Sequence, residues 1–303
     1  MRIKSPIKWA GGKQQIIDKI LENIPDKICN YYEPFLGGGS VLINLLLSDK
    51  EIEGNILVND INPYLIGMFK NIQKRPRMLY KKIEEIKSEF FECPNPVDKT
   101  VVNRTPKNIK DAKENRENYY YWLRNRFNSI PENKKKMTES SALFIILNKT
   151  CFRGIYREGP NGFNVPYGNY KNFPEIINLE ECLNLSKILK NVKFFCQDYI
   201  NFLDREYREN DFIYLDPPYV KVKNTSFDSY HKGGFSTFEK LVEIVNNYSI
   251  QNISFLLSNS FCEKVDKLEN CEKIVIEAKR TINSKNPESK TLEYLIKNLS
   301  IKE

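Results

Sequence analysis

The stretch YYEPFLGGGSVLINLLLS, residues 31–48, passes from an aromatic run through three glycines into Val, Leu and Ile at helical spacing. Gly37, Gly38 and Gly39 permit positive φ and let a ligand approach the main chain, and the helix behind them favours negative charge at its start. Ser40 is read as the residue that caps that helix. A second run, NILVND (55–60), ends on Asp60, whose carboxylate can accept hydrogen bonds from both hydroxyls of a ribose. Glycine turn and acidic strand end together read as nucleoside recognition; a tight structural turn with Asp60 as a cap is the alternative. The spacing is not GxGxxG, since Leu42 stands three after Gly39, and WAGGKQ (9–14) lacks the GxxxxGK[ST] pattern of a P-loop.

Outward from this unit, short β-type runs alternate with helical patterns toward the C-terminus. NVKFFCQ (191–197), FIYLD (212–216), ISFLLS (253–258), KIVIEA (273–278) and LEYLIKN (292–298) read as strands, and STFEKLVEIVNNY (236–248) as a helix. That alternation predicts an α/β fold with a largely parallel sheet, in which ligands sit beyond the carboxyl ends of the strands. The middle of the chain differs. It carries charged helical patterns, the interruption CPNPVDKTVVNRTPKN (93–108) and a Gly/Pro/Asn-punctuated patch, CFRGIYREGPNGFNVPYGNYK (151–171). The predicted organisation is one α/β domain built from residues 1–60 plus 179–303, interrupted by a mostly helical insertion, 61–178, that carries a β-hairpin.

Composition narrows the classes. Of 303 residues 41% are hydrophobic, enough for a sizeable core, and no apolar run is long enough to cross a membrane. The N-terminus, MRIKSPIKWAGGK, lacks a signal-peptide pattern, so a soluble, cytoplasmic protein is expected. The seven cysteines never stand as CxxC and the chain has one histidine, His231, so no metal site and no disulfide framework is expected. Residues 70–140 hold 18 Lys/Arg against 10 Asp/Glu, which accounts for the whole net charge of +8. A basic segment between neutral flanks suits a polyanion, although a lysine-rich solvated face would look the same.

The run FIYLDPPY (212–219) is the chemical counterpart of the glycine turn. An aromatic exocyclic amine is a poor nucleophile because its lone pair is delocalised into the ring. The Asp216 carboxylate and the Pro217 carbonyl, each accepting one N–H, would draw such a nitrogen toward tetrahedral geometry and aim its lone pair outward. Pro217 and Pro218 fix the main chain, and Tyr219 offers a face on which a heterocycle can stack. The site needs an electrophile, and a methyl group on the sulfonium of S-adenosylmethionine supplies one.

At this point the chain resembles the Dam-type (D12 class, alpha arrangement) DNA adenine-N6 methyltransferases. The pieces stand in that family's order: KWAGGK (8–13), EPFLGGGSV (33–41), VNDINP (58–63), FNVPYGNYK (163–171), CQDY (196–199), DPPY (216–219) and SNS (258–260). The resemblance implies a Rossmann-like S-adenosylmethionine-dependent methyltransferase domain acting on N6 of an adenine flipped out of double-stranded DNA. It implies that Trp9 and Lys13 shape the cofactor and active-site pocket, and that Glu33 to Gly39, including Gly37, wraps the methionine part. Asp60 would hold the ribose, Phe35 would pack on the cofactor's adenine, and Asp198 would accept its amino group or else cap a helix.

For DNA, the resemblance implies an intercalating aromatic at Phe152, base-reading side chains at Ile155 and Arg157, and Pro166 nearby on the same hairpin. Arg against guanine in the major groove discriminates by about 1–3 kcal/mol. Arg153 departs from the family's frequent Asn. GATC is the expected target, the basic helical region would contact phosphates, and His231 is read as part of a loop closing over the base. A restriction-modification or related DNA-marking role and a monomer or weak dimer are expected. Cytosine-C5 chemistry is disfavoured because no Pro-Cys pair occurs. Cytosine-N4, RNA or protein-amide methylation, and a catalytically silent DNA-binding module, stay open.

Overall fold

The computed structural model describes residues 3–95, 102–170, 172–218, 238–260, 267–279 and 290–298. Tyr219 and His231 lie outside them. The described helices, in chain order, are α1 (Ile17–Glu22), α2 (Ser40–Leu46), α3 (Pro63–Lys74), α4 (Pro76–Glu92), α5 (Ile109–Ala112), α6 (Arg116–Asn128), α7 (Thr138–Thr150), α8 (Leu179–Ile188), α9 (Tyr199–Leu203) and α10 (Phe238–Ile250). Two compact units result: Met1–Gly11 with Asn62–Lys190, and Gly12–Ile61 with Asn191–Glu303.

The second unit is built on a seven-stranded sheet of β1 (Tyr31–Glu33), β2 (Ile56–Asn59), β3 (Val192–Phe195), β4 (Phe212–Leu215), β5 (Ser254–Ser260), β6 (Cys271–Lys279) and β7 (Lys290–Asn298). Their order is β6-β7-β5-β4-β1-β2-β3. β3, β2, β1, β4 and β5 pair in parallel, and β7 runs antiparallel between β5 and β6. The expected α/β fold with a mostly parallel sheet is met. Every residue of β1 and β4 is buried, because parallel strands carry connections on both faces. Chain order moves outward from β1 through β2 to β3 and then returns to β4 on the other side of β1. In open α/β sheets such a reversal of strand order marks a ligand crevice outside the carboxyl ends, here those of β1 and β4. One face is closed by α10, whose Leu241 and Val245 join Ile213, Leu215, Phe255, Leu257 and Ile296 in the core. Each such buried aliphatic side chain contributes about 1.5–3 kcal/mol.

The first unit is helical. Eleven of the 13 residues of α7 are buried, and α3, α4 and α6 surround it. Its polar positions are satisfied: Asn71 Nδ2 donates to Ser141 Oγ at 3.0 Å, and Thr138 Oγ1 to Asn71 Oδ1 at 2.9 Å. Asn62 starts α3 by accepting from the amides of Tyr64 and Leu65, with Pro63 in the first turn. Many lysines of the basic segment are spent locally, as in Lys82–Glu85, Lys87–Glu84 and Lys113–Glu92.

The unit boundaries differ from 1–60 plus 179–303 against 61–178 in two places, each with a physical cause. Asn148 of α7 accepts from Lys8 N and donates to Lys8 O, both at 2.8 Å, which ties the N-terminal residues to the helical unit. Ser186 of α8 donates to Gln73 O, and Gln73 donates to Leu189 O, so α8 belongs with α3.

Candidate active site

Asp216 follows β4 directly, with Pro217 buried and Pro218 half-buried behind it. The Lys13 ammonium lies 2.8 Å from Asp216 Oδ1, and the two side chains are 3% and 20% exposed. Lys13 opens a 3-10 turn, Lys13–Gln15, and its amide donates to Ser40 Oγ at 3.2 Å. Burial pushes the Asp216 carboxyl up to about 6 against the opposing pull of Lys13, and Glu293 adds a smaller upward push.

One strand over, β1 ends on Glu33, which is 2% exposed and accepts a hydrogen bond at 2.9 Å from the Tyr31 hydroxyl. Burial holds the Glu33 carboxyl well above the usual carboxylate range; the Tyr31 hydrogen bond opposes this, and Asp216 and Asp60 reinforce it. The next strand, β2, leads to Asp60, whose Oδ2 accepts from the amide of Gly37 at 2.9 Å. Gly37 has φ 50° and Gly39 φ 70°, so the turn uses the left-handed conformation that glycine adopts without strain. Gly39, and not Ser40, is the cap residue of α2, and no side chain caps that helix. This corrects the expected role of Ser40: the left-handed cap needs a glycine, and the Ser40 hydroxyl turns to Lys13 instead.

Asp198 caps α9, its Oδ1 accepting from Ile200 N at 2.8 Å, which is the alternative weighed for it. Phe35 is half-buried, its ring 5.1 Å from that of Tyr199. One residue of the site escapes sequence reasoning. Asn59, 1% exposed, donates to Pro34 O and Gln197 O at 3.1 and 3.0 Å and accepts from Gln197 N at 3.1 Å. Its carbonyl also accepts from Leu36 N. Asn59 thereby joins the glycine loop to the segment after β3. The only signal was an amide side chain at the end of an apolar strand.

Lys13, Glu33, Gly37, Gly39, Asp60, Asp198 and Asp216 thus fall within one unit, along the carboxyl edge of β4, β1, β2 and β3. Trp9 is in the helical unit, stacked on Tyr156 at 5.4 Å and edge-on to Phe144 at 6.4 Å. Among the described residues no group of three or more His, Cys, Asp or Glu could hold a metal ion, and no helix is long and apolar enough to cross a membrane.

The helical unit brings the five other expected residues onto one pair of segments. Phe152 N donates to Pro166 O at 2.8 Å, and Ile155 N to Phe152 O at 3.4 Å. The Arg153 guanidinium sits 5.1 Å from the centre of the Phe152 ring, which is 45% exposed. Arg157 Nε donates to Asn164 Oδ1 at 2.7 Å beside a short hairpin, Glu158–Gly159 paired with Gly162–Phe163. Asn128 of α6 clamps that hairpin by bonding both the N–H and the C=O of Phe163. Arg153 has φ 59°, a conformation Asn tolerates better than Arg.

The family model for D12 class N6 adenine-specific DNA methyltransferases matches residues 9–282. The chain belongs to this family. It is 36% identical to Type II methyltransferase M.MjaIII of Methanocaldococcus jannaschii, over 98% of this chain and 100% of that protein. It is 32% identical to a DNA adenine methylase of Haemophilus influenzae, over 94% and 89% of the two chains, and 28% identical to one of Salmonella typhi, over 96% and 93%. The protein is accordingly an adenine-specific DNA methyltransferase, with a mixed α/β fold consistent with the S-adenosylmethionine-dependent methyltransferases.

Proposed function

We propose that the carboxyl edge of β4, β1 and β2 binds S-adenosylmethionine and that Asp216 receives the N6 amino group of an adenine flipped from duplex DNA. The observation that carries this reading is the junction of Asp216, Glu33 and Asp60 at the ends of three neighbouring strands, with Lys13 on Asp216. An edge carrying the buried Glu33 and the partly buried Asp60 and Asp216 fits a cofactor that carries a sulfonium and an ammonium, and Asp60 beside the glycine turn fits a ribose. Glu33, Phe35, Gly37, Gly39, Asp60 and Asp198 would hold the cofactor, with Lys13 shaping the pocket.

Bound there, S-adenosylmethionine supplies a methyl group on a cationic sulfur. The chain's own part is position and polarity. The Asp216 carboxylate accepts one N–H of the amine and the Pro217 carbonyl accepts the other, so the lone pair is directed away from the ring plane. Lys13 favours the ionised form of Asp216, the form able to accept that hydrogen bond. Tyr219 would support the base by stacking. The amino nitrogen would take the methyl group as its bond to sulfur breaks, the bonding pair staying on sulfur, and nitrogen would give up one proton to water.

On the DNA side, Phe152 would fill the space left by the extruded base, while Arg153, Ile155, Arg157 and Pro166 contact neighbouring bases or backbone. GATC is the proposed target, and restriction-modification or another DNA-marking role the proposed setting. Incubation of unmethylated DNA with protein and cofactor, followed by sequencing that detects methylated adenine, tests the target. Modification confined to adenines in GATC is expected; a different shared motif would overturn the target, and modification of cytosine N4 would overturn the base.

A further inference from the structure

Unlike Asp216, which pairs with Lys13, Glu33 forms no ion pair with a described residue. Its Oε2 accepts from Tyr31, whose own ring is fully buried, and no other hydrogen bond from a described residue reaches the carboxyl group. The charged groups that act on it are Asp60, beyond β2, and Asp216, beyond β4, both acidic. The ammonium of Lys13 is committed to Asp216 at 2.8 Å, and the further charge acting on Asp216 is Glu293 of β7, again acidic. A further negative charge buried in such surroundings would be costly, which favours the acid form.

We propose that Glu33 holds a proton while the crevice is empty and releases it when a cationic cofactor enters, so that cofactor uptake is coupled to proton release. This rests on the reading above that the crevice takes S-adenosylmethionine, whose two cations would supply the counter-charge that the protein itself lacks at Glu33. The O–H bond of the Glu33 carboxyl breaks, the proton passes to solvent, and the Tyr31 hydroxyl remains as a donor to the carboxylate that forms. The carboxyl group acts through charge and takes no part in bond-making at the base.

The linkage has a defined sign. While Glu33 is protonated in the free protein and ionised in the complex, binding tightens as pH rises, by up to about tenfold per pH unit. Calorimetry of S-adenosylmethionine binding in buffers of different ionisation enthalpy counts the protons. Wild-type protein is expected to release about one proton more than Glu33→Gln at the same pH, and the Kd of the variant loses the corresponding pH dependence. Subtraction removes protons exchanged by the cofactor's own amino group. Equal proton counts in the two proteins would overturn the proposal. Should Glu33→Gln not fold, infrared difference spectra of the wild type decide: loss of a protonated-carboxyl C=O band on adding cofactor, retained in Tyr31→Phe, is expected, and an unchanged band refutes it. If wild-type protein takes up no S-adenosylmethionine at all, the cofactor reading itself has failed, an outcome distinct from binding without proton release.

Discussion

Asp216 stands between burial, which favours its neutral form, and the Lys13 ammonium, which favours its charge. Because burial prevails in part and the carboxyl is pushed up to about 6, the group changes charge just below neutrality. In the proposed reaction Asp216 accepts a hydrogen bond as a carboxylate, so kcat/KM for DNA methylation is expected to fall below pH 6 by about tenfold per unit. A profile that stays flat to pH 5 would remove Asp216 from that role. Arg153 illustrates another constraint at this scale. Its φ of 59° suits Asn better than Arg, so Arg153→Asn is expected to stabilise the protein by about 0.5–1 kcal/mol in denaturant titration. The sequence announced Asp216, Asp60 and the glycines because their types are unusual where they stand. It could not announce the Lys13–Asp216 pair, whose members meet only through the folding of the sheet unit.

At the scale of elements, strands were legible where apolar runs ended in turn or acidic residues, as in FIYLD and NILVND, and α10 was legible from its apolar spacing. Three features were not. The antiparallel insertion of β7 between β5 and β6 leaves no local mark, because a buried strand looks alike in either direction. Membership of α8 in the helical unit depends on Gln73 and Ser186, which are ordinary polar residues in sequence. The third is the clamp made by Asn59, whose hydrogen bonds hold the 34–39 loop and the 196–198 segment in register. Asn59→Ala removes the donor and leaves buried carbonyls without it, so a loss of about 2–3 kcal/mol in unfolding free energy is expected. An effect under half a kcal/mol would show that the loop is held elsewhere.

For the whole molecule, charge is unevenly distributed: the basic excess lies in residues 70–140, mostly helical, while Glu33, Asp60 and Asp216 stand at the carboxyl ends of neighbouring strands of the sheet. In the proposed reading a polyanionic substrate and a cationic cofactor ask for opposite fields, and this distribution suits both. Membership in the D12 methyltransferases and the fold were readable from ordered motifs spread along the chain, whereas the unit boundaries depended on contacts of Lys8 and α8 that no motif contains. In the proposed reaction the residue-216 carboxylate prepares an amino nitrogen for methyl transfer. Single-turnover transfer of labelled methyl from S-adenosylmethionine to duplex DNA, with base analysis of the product, tests it most directly. Label on adenine N6 and a loss of at least about a thousandfold in Asp216→Ala, with cofactor still bound, is the expected result. Label on cytosine, or an Asp216→Ala rate close to wild type, would contradict it.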